Sequence, residues 1–409
     1  MRLHSLRWWP EGGDHDVWSV RRSASSDTLR HNPKHSLRKP HTIPPHFLPA
    51  PSPEKPLFRD NPDAVLPQEV PLLAGSVDAD AALRVVRLIV PQWSNVETAR
   101  CKPVVGGITN GLVRLSAPEH TDVLVRVYGP NTHLVIDRER ENRLFARLSE
   151  AGFAPAYLGR FQNGRVEGFL EGFRALEPHE LAKGTWQKGI AQRLAQLHQF
   201  KPEQVIPRTF SSLRTWLEQA RDLTFEGEAA MRHAQLKLPG ALALLGTLSR
   251  LFHEQIKPHA DDSFGTRAAI RPVLAHNDLL AGNIMVEEST GSVRFIDYEY
   301  SACGYAAFDI ANHFCEYAGF DSDFAQHFPD RSAREAFIET YLGPESSRTD
   351  IADFDRAVCL FVLVDHLWWG SWAVIQAQHS PIDFDFLRYA ELRFAGLRHH
   401  RSLFESRPG

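Results

Sequence analysis

One stretch, "LAHNDLLAGNIMVEESTGSVRFIDYEYS" (Leu274–Ser301), limits the fold of this chain more than any other. It sets His276-Asn277-Asp278 and Asn283, and then Asp297, between strongly apolar flanks. Asp and Asn are poor helix formers and costly to bury without partners. The fold must therefore gather these side chains into one polar site, with the β-rich run "SVRFI" carrying the chain back to Asp297.

Asp278 and Asn283 are five residues apart, and Asp297 stands where that run ends. Phosphoryl transfer needs this set. One carboxylate receives the proton of an attacking hydroxyl, and acceptor oxygens hold a hard divalent cation against nucleotide phosphates. D-L-x-x-x-N is the spacing of a kinase catalytic loop, and "FIDYE" takes the place of the D-F-G strand end. A plainer reading has Asn277-Asp278 capping a helix and Asp297 ending a strand; the spacing favours the site.

Two further segments fit such a site without proving it. "VVGGITNGLVRL" (Val104–Leu115) lies between strand candidates, and Gly106, Gly107 and Gly111 would let backbone amides approach phosphate. Read by itself it is more often a plain hairpin turn. No G-x-x-x-x-G-K-[ST] occurs, which argues against a P-loop enzyme. In "VLVRVYG", Val123, Val125 and Val127 share one face and Leu124, Arg126 and Tyr128 the other. Arg126 either faces solvent or pairs with a carboxylate of the next helix, where Glu139 and Glu141 are on offer. Near the C-terminus Trp369 and Trp372 are i and i+3 on one helix face, with Tyr389 placed to fold back. Such rings pack a core or attract an ammonium group.

The rest of the chain bounds the class. Its 409 residues suffice for two lobes. With 46 basic and 50 acidic residues, the charge of −4 gives no general case for binding nucleic acid or membrane. The four cysteines are widely spaced, which fits a reducing, cytoplasmic setting without disulfides or zinc. The apolar run Val358–Val364 falls well short of the roughly 20 residues of a membrane span. Residues 1–65, rich in Ser, Pro, His and Arg, read as a basic disordered tail, and their scattered prolines speak against a transit peptide. Order is expected from about Ala79. A β-rich lobe (66–172) with the amphipathic helix "IDRERENRLFARLSEAG" precedes a mainly helical lobe (173–409), interrupted by "SVRFIDY".

"GGITN", "VLVRVYG", "IDRERE", "LAHNDLLAGNI", "FIDYEYSACGYAAFDIANHF" and "WGSWAVIQAQHSPIDFDFLRYA" follow one another, over roughly residues 80–400, in an order that resembles the choline/ethanolamine kinase family. The resemblance implies an α+β, protein-kinase-like bilobal fold with a small antiparallel N-lobe and a larger helical C-lobe. It implies transfer of the γ-phosphate of ATP, with Mg2+, to a small amino alcohol. Asp278 would be the catalytic base, and Asn283 and Asp297 the metal ligands. Gly106, Gly107, Ile108, Thr109 and Asn110 would cover the phosphates. Arg126 would stand where protein kinases have their lysine, with Glu141 as its helix partner. Glu299, Tyr300, Trp369, Trp372 and Tyr389 would line the amino-alcohol end, and Asp309, Asn312 and His313 would brace the catalytic segments. Relatives in this family often dimerise, which leaves a homodimer open, but the sequence carries no interface signature.

Within the family, "HNDLL", "IDYEYS" and "FCEYAGF" resemble the ethanolamine branch. Ethanolamine keeps N–H donors and needs carboxylate or carbonyl acceptors, whereas choline relies on aromatic and electrostatic contact. Where the choline branch tends to carry a further Tyr, Gly319, Phe320 and Asp321 stand. Two departures are Gly111, usually larger, and Ala311 in "FDIAN", usually Gly. Ethanolamine phosphorylation, the first step of the CDP-ethanolamine route to phosphatidylethanolamine, is thus the leading expectation. A choline or dual kinase is the alternative, and a catalytically inactive kinase-fold binding protein the rival from another class.

Overall fold

The alternation in "DVLVRVYG" becomes the central strand of an amino-terminal sheet. The structure, a computed structural model, describes residues 63–73, 76–104, 110–130, 132, 136–181, 183–380 and 382–405. Residues 1–62 of the expected tail, and Gly106, Gly107, Ile108 and Thr109 of the glycine-rich segment, lie outside the described residues. The first lobe runs β1 (Leu72–Leu73), β2 (Ser76–Val77), α1 (Ala79–Ile89), β3 (Arg100–Pro103), β4 (Asn110–Ser116), β5 (Val123–Tyr128), α2 (Arg138–Glu150), β6 (Tyr157–Phe161) and β7 (Gly164–Gly168). Strands β3-β4-β5-β7-β6 form one antiparallel sheet. Val123, Val125 and Val127 are buried on one face of β5, which leaves the Arg126 face for the catalytic segments. Asp137 caps α2 by accepting from the Arg140 amide, its Leu144/Phe145/Leu148 stripe is buried, and Gly152 follows the helix in a left-handed conformation (φ 74°).

Order begins earlier than the expected Ala79. Leu66 pairs with Phe161, and the Asn163 amide both accepts from Val70 N–H (3.0 Å) and donates to Val70 C=O (2.9 Å). The β1–β2 hairpin then lays Leu72 where a Cβ on residue 111 would stand. That close approach accounts for glycine at 111.

The second lobe comprises β8 (Arg174–Ala175), α3 (Pro178–Leu181), α4 (Gln187–Leu197), α5 (Thr209–Asp222), α6 (Gly227–Gln235), α7 (Leu238–Leu251) and α8 (Phe264–Ala269). It continues through β9 (Pro272–Ala275), β10 (Ile284–Glu287), β11 (Ser292–Phe295), β12 (Ala302–Tyr305), α9 (Ala306–Cys315), α10 (Phe324–His327), α11 (Arg331–Leu342), α12 (Arg348–His379) and α13 (Phe386–Glu405). The pattern anticipates one strand here, yet β9 pairs with β12, and β11, β10 and β8 form a second small sheet. Runs of four residues such as "PVLA" and "ACGY" are too short to announce themselves by alternation.

Helix α12 is the axis of this lobe. Ser347 and Asp350 close a capping box at its start, and it is buried almost continuously from Ile351 to Ile375. By length and composition it could cross a bilayer, unlike the short apolar run seen in the sequence, but its most apolar 18-residue window is entirely inside the protein. Asp365 and His366 interrupt that run, and both find buried partners: Asp365 takes Arg393 and Asn312, and His366 takes His400.

Candidate active site

The spacing of Asp278 and Asn283 has a local geometric cause. After β9 the chain passes through Asn277 in a left-handed conformation (φ 65°), and a single 3-10 turn, Ala281–Asn283, folds Asn283 back. Asn283 Nδ2 donates to both the backbone oxygen and Oδ2 of Asp278, each at 2.9 Å. The β10–β11 hairpin returns the chain, Ile296 N–H bonds Asn283 C=O (3.0 Å), and Asp297 follows, also left-handed (φ 64°). Asp and Asn tolerate this region better than other non-glycine residues, and strained backbone gathers at functional sites.

Helix α9 holds this loop by its backbone. Asp309 accepts from His276 N–H (Oδ2, 2.7 Å) and Asn277 N–H (Oδ1, 2.7 Å). It also accepts from His198 Nε2 at 2.9 Å, since a carboxylate can only accept. Asn312 Oδ1 accepts from Leu279 N–H (2.8 Å), and His313 Nδ1 donates to Leu279 C=O (3.0 Å). Ala311, fully buried in the same helix, is accommodated without disturbing these bonds.

Burial lifts the Asp278 carboxyl well above the usual carboxylate range, and the negative charges of Glu316, Asp297 and Glu299 add to the effect. A proton is thus held more firmly there than on an exposed Asp, as suits a group that must accept one.

The partner expected for Arg126 is corrected. Arg126 Nε donates to Glu167 Oε1 (2.9 Å) and Nη1 to Asp297 Oδ1 (3.1 Å). Glu141 is taken instead by Arg165 (2.5 Å) and Arg138 (2.6 Å), while Glu139 lies outside and holds Arg160. The cause is register: β5 and β7 set Arg126 directly opposite Arg165, so two buried guanidinium groups lie side by side and must be interleaved with carboxylates. Burial alone would raise the Glu141 carboxyl, but Arg165, Arg138 and Arg126 bring it down to about 2.

Glu299 also turns away from its expected place beside the aromatic helix. Its Oε2 accepts from Asn110 Nδ2 (3.0 Å) and Arg138 Nη1 (3.1 Å), which ties it to the end of the glycine-rich segment and to α2. Tyr300, Trp369 and Trp372 do converge. Trp372 Nε1 donates to the Tyr300 hydroxyl (2.8 Å), and Trp369 stands edge-on to both rings, with centroids 5.5 and 5.2 Å away. Tyr389 joins them at two removes, through Phe386 and then Phe384.

Two contributors escaped the sequence reading. Trp216 on α5 stands edge-on to Tyr300 (6.3 Å) and packs on Trp368 (4.5 Å); a lone Trp in an amphipathic helix gave no sign of this. Glu316 follows "ANHFC", and its position inside a buried apolar run was the available signal. Its Oε1 accepts from Arg393 Nη1 (3.1 Å), a guanidinium that also reaches Tyr389 and Asp365. Burial pushes the Glu316 carboxyl up to about 7 against the pull of Arg393. The Glu316 charge is felt both at Asp278 and at the Tyr389 end of the aromatic wall.

A family model described as choline/ethanolamine kinase matches residues 101–397. A "Probable ethanolamine kinase" of Arabidopsis thaliana is 35% identical over 347 residues, covering 80% of this chain and 89% of that protein. A "Probable choline kinase 1" of the same plant is 31% identical over 333 residues, covering 76% and 90%. Among solved structures, an ethanolamine kinase of Plasmodium vivax superposes with a TM-score of 0.66 at 27% identity, covering 79% of this chain and 87% of that one.

Proposed function

This chain belongs to the choline/ethanolamine kinase family, with its protein-kinase-like fold, and we propose that it transfers the γ-phosphoryl group of ATP to the hydroxyl of ethanolamine. The observation that carries the acceptor is Glu316: a buried carboxyl near Asp278 supplies what an ammonium with N–H donors requires. Tyr300, Trp369, Trp372 and Tyr389 enclose the amine, and the hydroxyl is directed at Asp278. The alcohol oxygen attacks the γ-phosphorus, its proton passes to the Asp278 carboxylate, and the bond to the β-phosphate oxygen breaks to release ADP.

Two oxygen donors face the phosphate side. Asn283 commits its Nδ2 to Asp278, which leaves Oδ1, and Asp297 commits Oδ1 to Arg126, which leaves Oδ2. So small a set of hard oxygens suits Mg2+, which completes its shell with water and substrate phosphates. Bound there, the cation would neutralise charge on the phosphates. Arg126 holds Asp297 in position. We place the lobe boundary near residue 172, just beyond β7. The wide spacing of the four cysteines along the chain accords with a cytoplasmic setting.

With Mg·ATP, the protein should form ADP faster with ethanolamine than with choline, kanamycin or no acceptor. Equal or greater turnover on choline would overturn the acceptor assignment. The aromatic wall favours a dual choline/ethanolamine activity as the second reading, since rings bind an ammonium without N–H donors.

A pH profile tests Glu316. The ammonium selects the ionised carboxylate, so KM for ethanolamine should fall as pH rises towards about 7 and level off above it. In Glu316→Gln the KM should be higher and its slope across this range lost. An unchanged slope would remove Glu316 from the site.

A further inference from the structure

Arg138 occupies the first position of α2, where a cation opposes the helix dipole. Its surroundings explain why it is there. Nη1 donates to Glu141 Oε2 (2.6 Å) and Glu299 Oε2 (3.1 Å), and Nη2 to Asn110 Oδ1 (3.1 Å) and Thr132 Oγ1 (2.7 Å). The guanidinium also lies over the Tyr128 ring, 4.4 Å from its centroid. Asn110 in turn donates to Glu299, so Asn110, Arg138 and Glu299 form a closed triangle.

The three corners come from parts of the chain with separate tasks. Asn110 begins β4, directly after the glycine-rich segment. Arg138 begins α2, whose Glu141 is locked to the sheet through Arg165. Glu299 lies two residues beyond Asp297, in the turn Tyr298–Tyr300. A planar, multidentate cation reaches Asn110, Glu141 and Glu299 at once; a lysine ammonium would serve fewer of them.

We infer that Arg138 is a positioning residue, a latch between the lobes that fixes Asn110 at the start of β4, and α2, against the Asp297 turn and so sets affinity for the nucleoside triphosphate rather than for the acceptor. The inference rests on the kinase reading above. It assigns Glu299 to the latch in place of the amino-alcohol end.

The test uses the full chain and a non-hydrolysable ATP analogue with Mg2+, titrated calorimetrically without acceptor. Arg138→Gln should raise the analogue Kd about tenfold, and KM for ATP in parallel, while KM for ethanolamine changes less than twofold. Arg138→Lys should recover part of the loss. Hydrogen exchange over β4, Asn110–Ser116, in the nucleotide-bound protein should quicken in Arg138→Gln. Should that variant not fold, Asn110→Ala must show the same selective loss. Adding Glu299→Gln to Arg138→Gln should cost less than Glu299→Gln alone, because the bond between the two side chains is already gone. An analogue Kd within twofold of the parent, or an equal rise in KM for ethanolamine, overturns the latch. A parent protein that binds no nucleotide would instead defeat the kinase reading.

Discussion

Asp278→Ala is expected to lower kcat about 10²–10⁴-fold, the range that a positioned general base contributes. The variant should still bind nucleotide within a few-fold of the parent, because Arg126, Asn283 and Asp297 remain. Loss of the carboxylate removes the proton acceptor and one of the two partners of Asn283 Nδ2 together, the backbone oxygen of residue 278 being kept. Asp278→Asn separates the two effects. It keeps the shape and one oxygen, so folding should survive while proton acceptance does not. Both variants should lose kcat with little change in KM for ATP, the signature of an interaction made in the transition state. Near-normal kcat in Asp278→Asn would mean that another group receives the proton.

What could be read from sequence followed the range of the interaction. Asp278 and Asn283 meet through one short turn, so their pairing is written in a five-residue spacing, and the alternation of Val123, Val125 and Val127 is equally local. The partners of Arg126 are not local. They depend on the register that sets Arg126 opposite Arg165, and an offset of one residue along β7 would have exchanged the buried and exposed faces. Glu141 looked like the partner because it lies on the facing helix, yet Arg165 reaches it first. Glu299 was drawn to the acceptor end by its closeness to Asp297, but the 3-10 turn that follows aims it at the other lobe. Glu316 and Trp216 remained unseen because no periodicity marks a residue whose role arises from packing between distant helices. The same holds for the strap before α1, where the consequence, glycine at 111, was visible in the sequence and its cause was not.

Asp309→Ala should destabilise the fold by several kcal/mol and abolish turnover in whatever folded protein remains. Three donors lose their acceptor at once: the amides of His276 and Asn277, and His198 Nε2. Each buried donor left unmade costs about 1–3 kcal/mol. Burial alone would raise the Asp309 carboxyl, but the His198 hydrogen bond, with His198 and His276 nearby, holds it below its ordinary value. A depressed folded-state pKa means stability that is present above the unfolded value, near 4, and lost as pH falls below it. That acid-labile share of stability should be missing from Asp309→Ala in denaturant titrations at pH 3 to 6. Asp309→Asn gives the sharper result. His198 can change tautomer and accept from the new amide, its Nδ1 then donating to Tyr341, which lies 2.7 Å away. The two backbone amides have no such freedom. Whichever way the Asn side chain turns, its NH2 confronts the N–H of His276 or that of Asn277, so one donor is stranded. The variant should therefore fold, lose about 1–3 kcal/mol, and displace Asp278 enough to lower kcat while nucleotide Kd holds. If Asp309→Asn matched the parent in kcat, the grip of α9 on the loop would not be what positions the base.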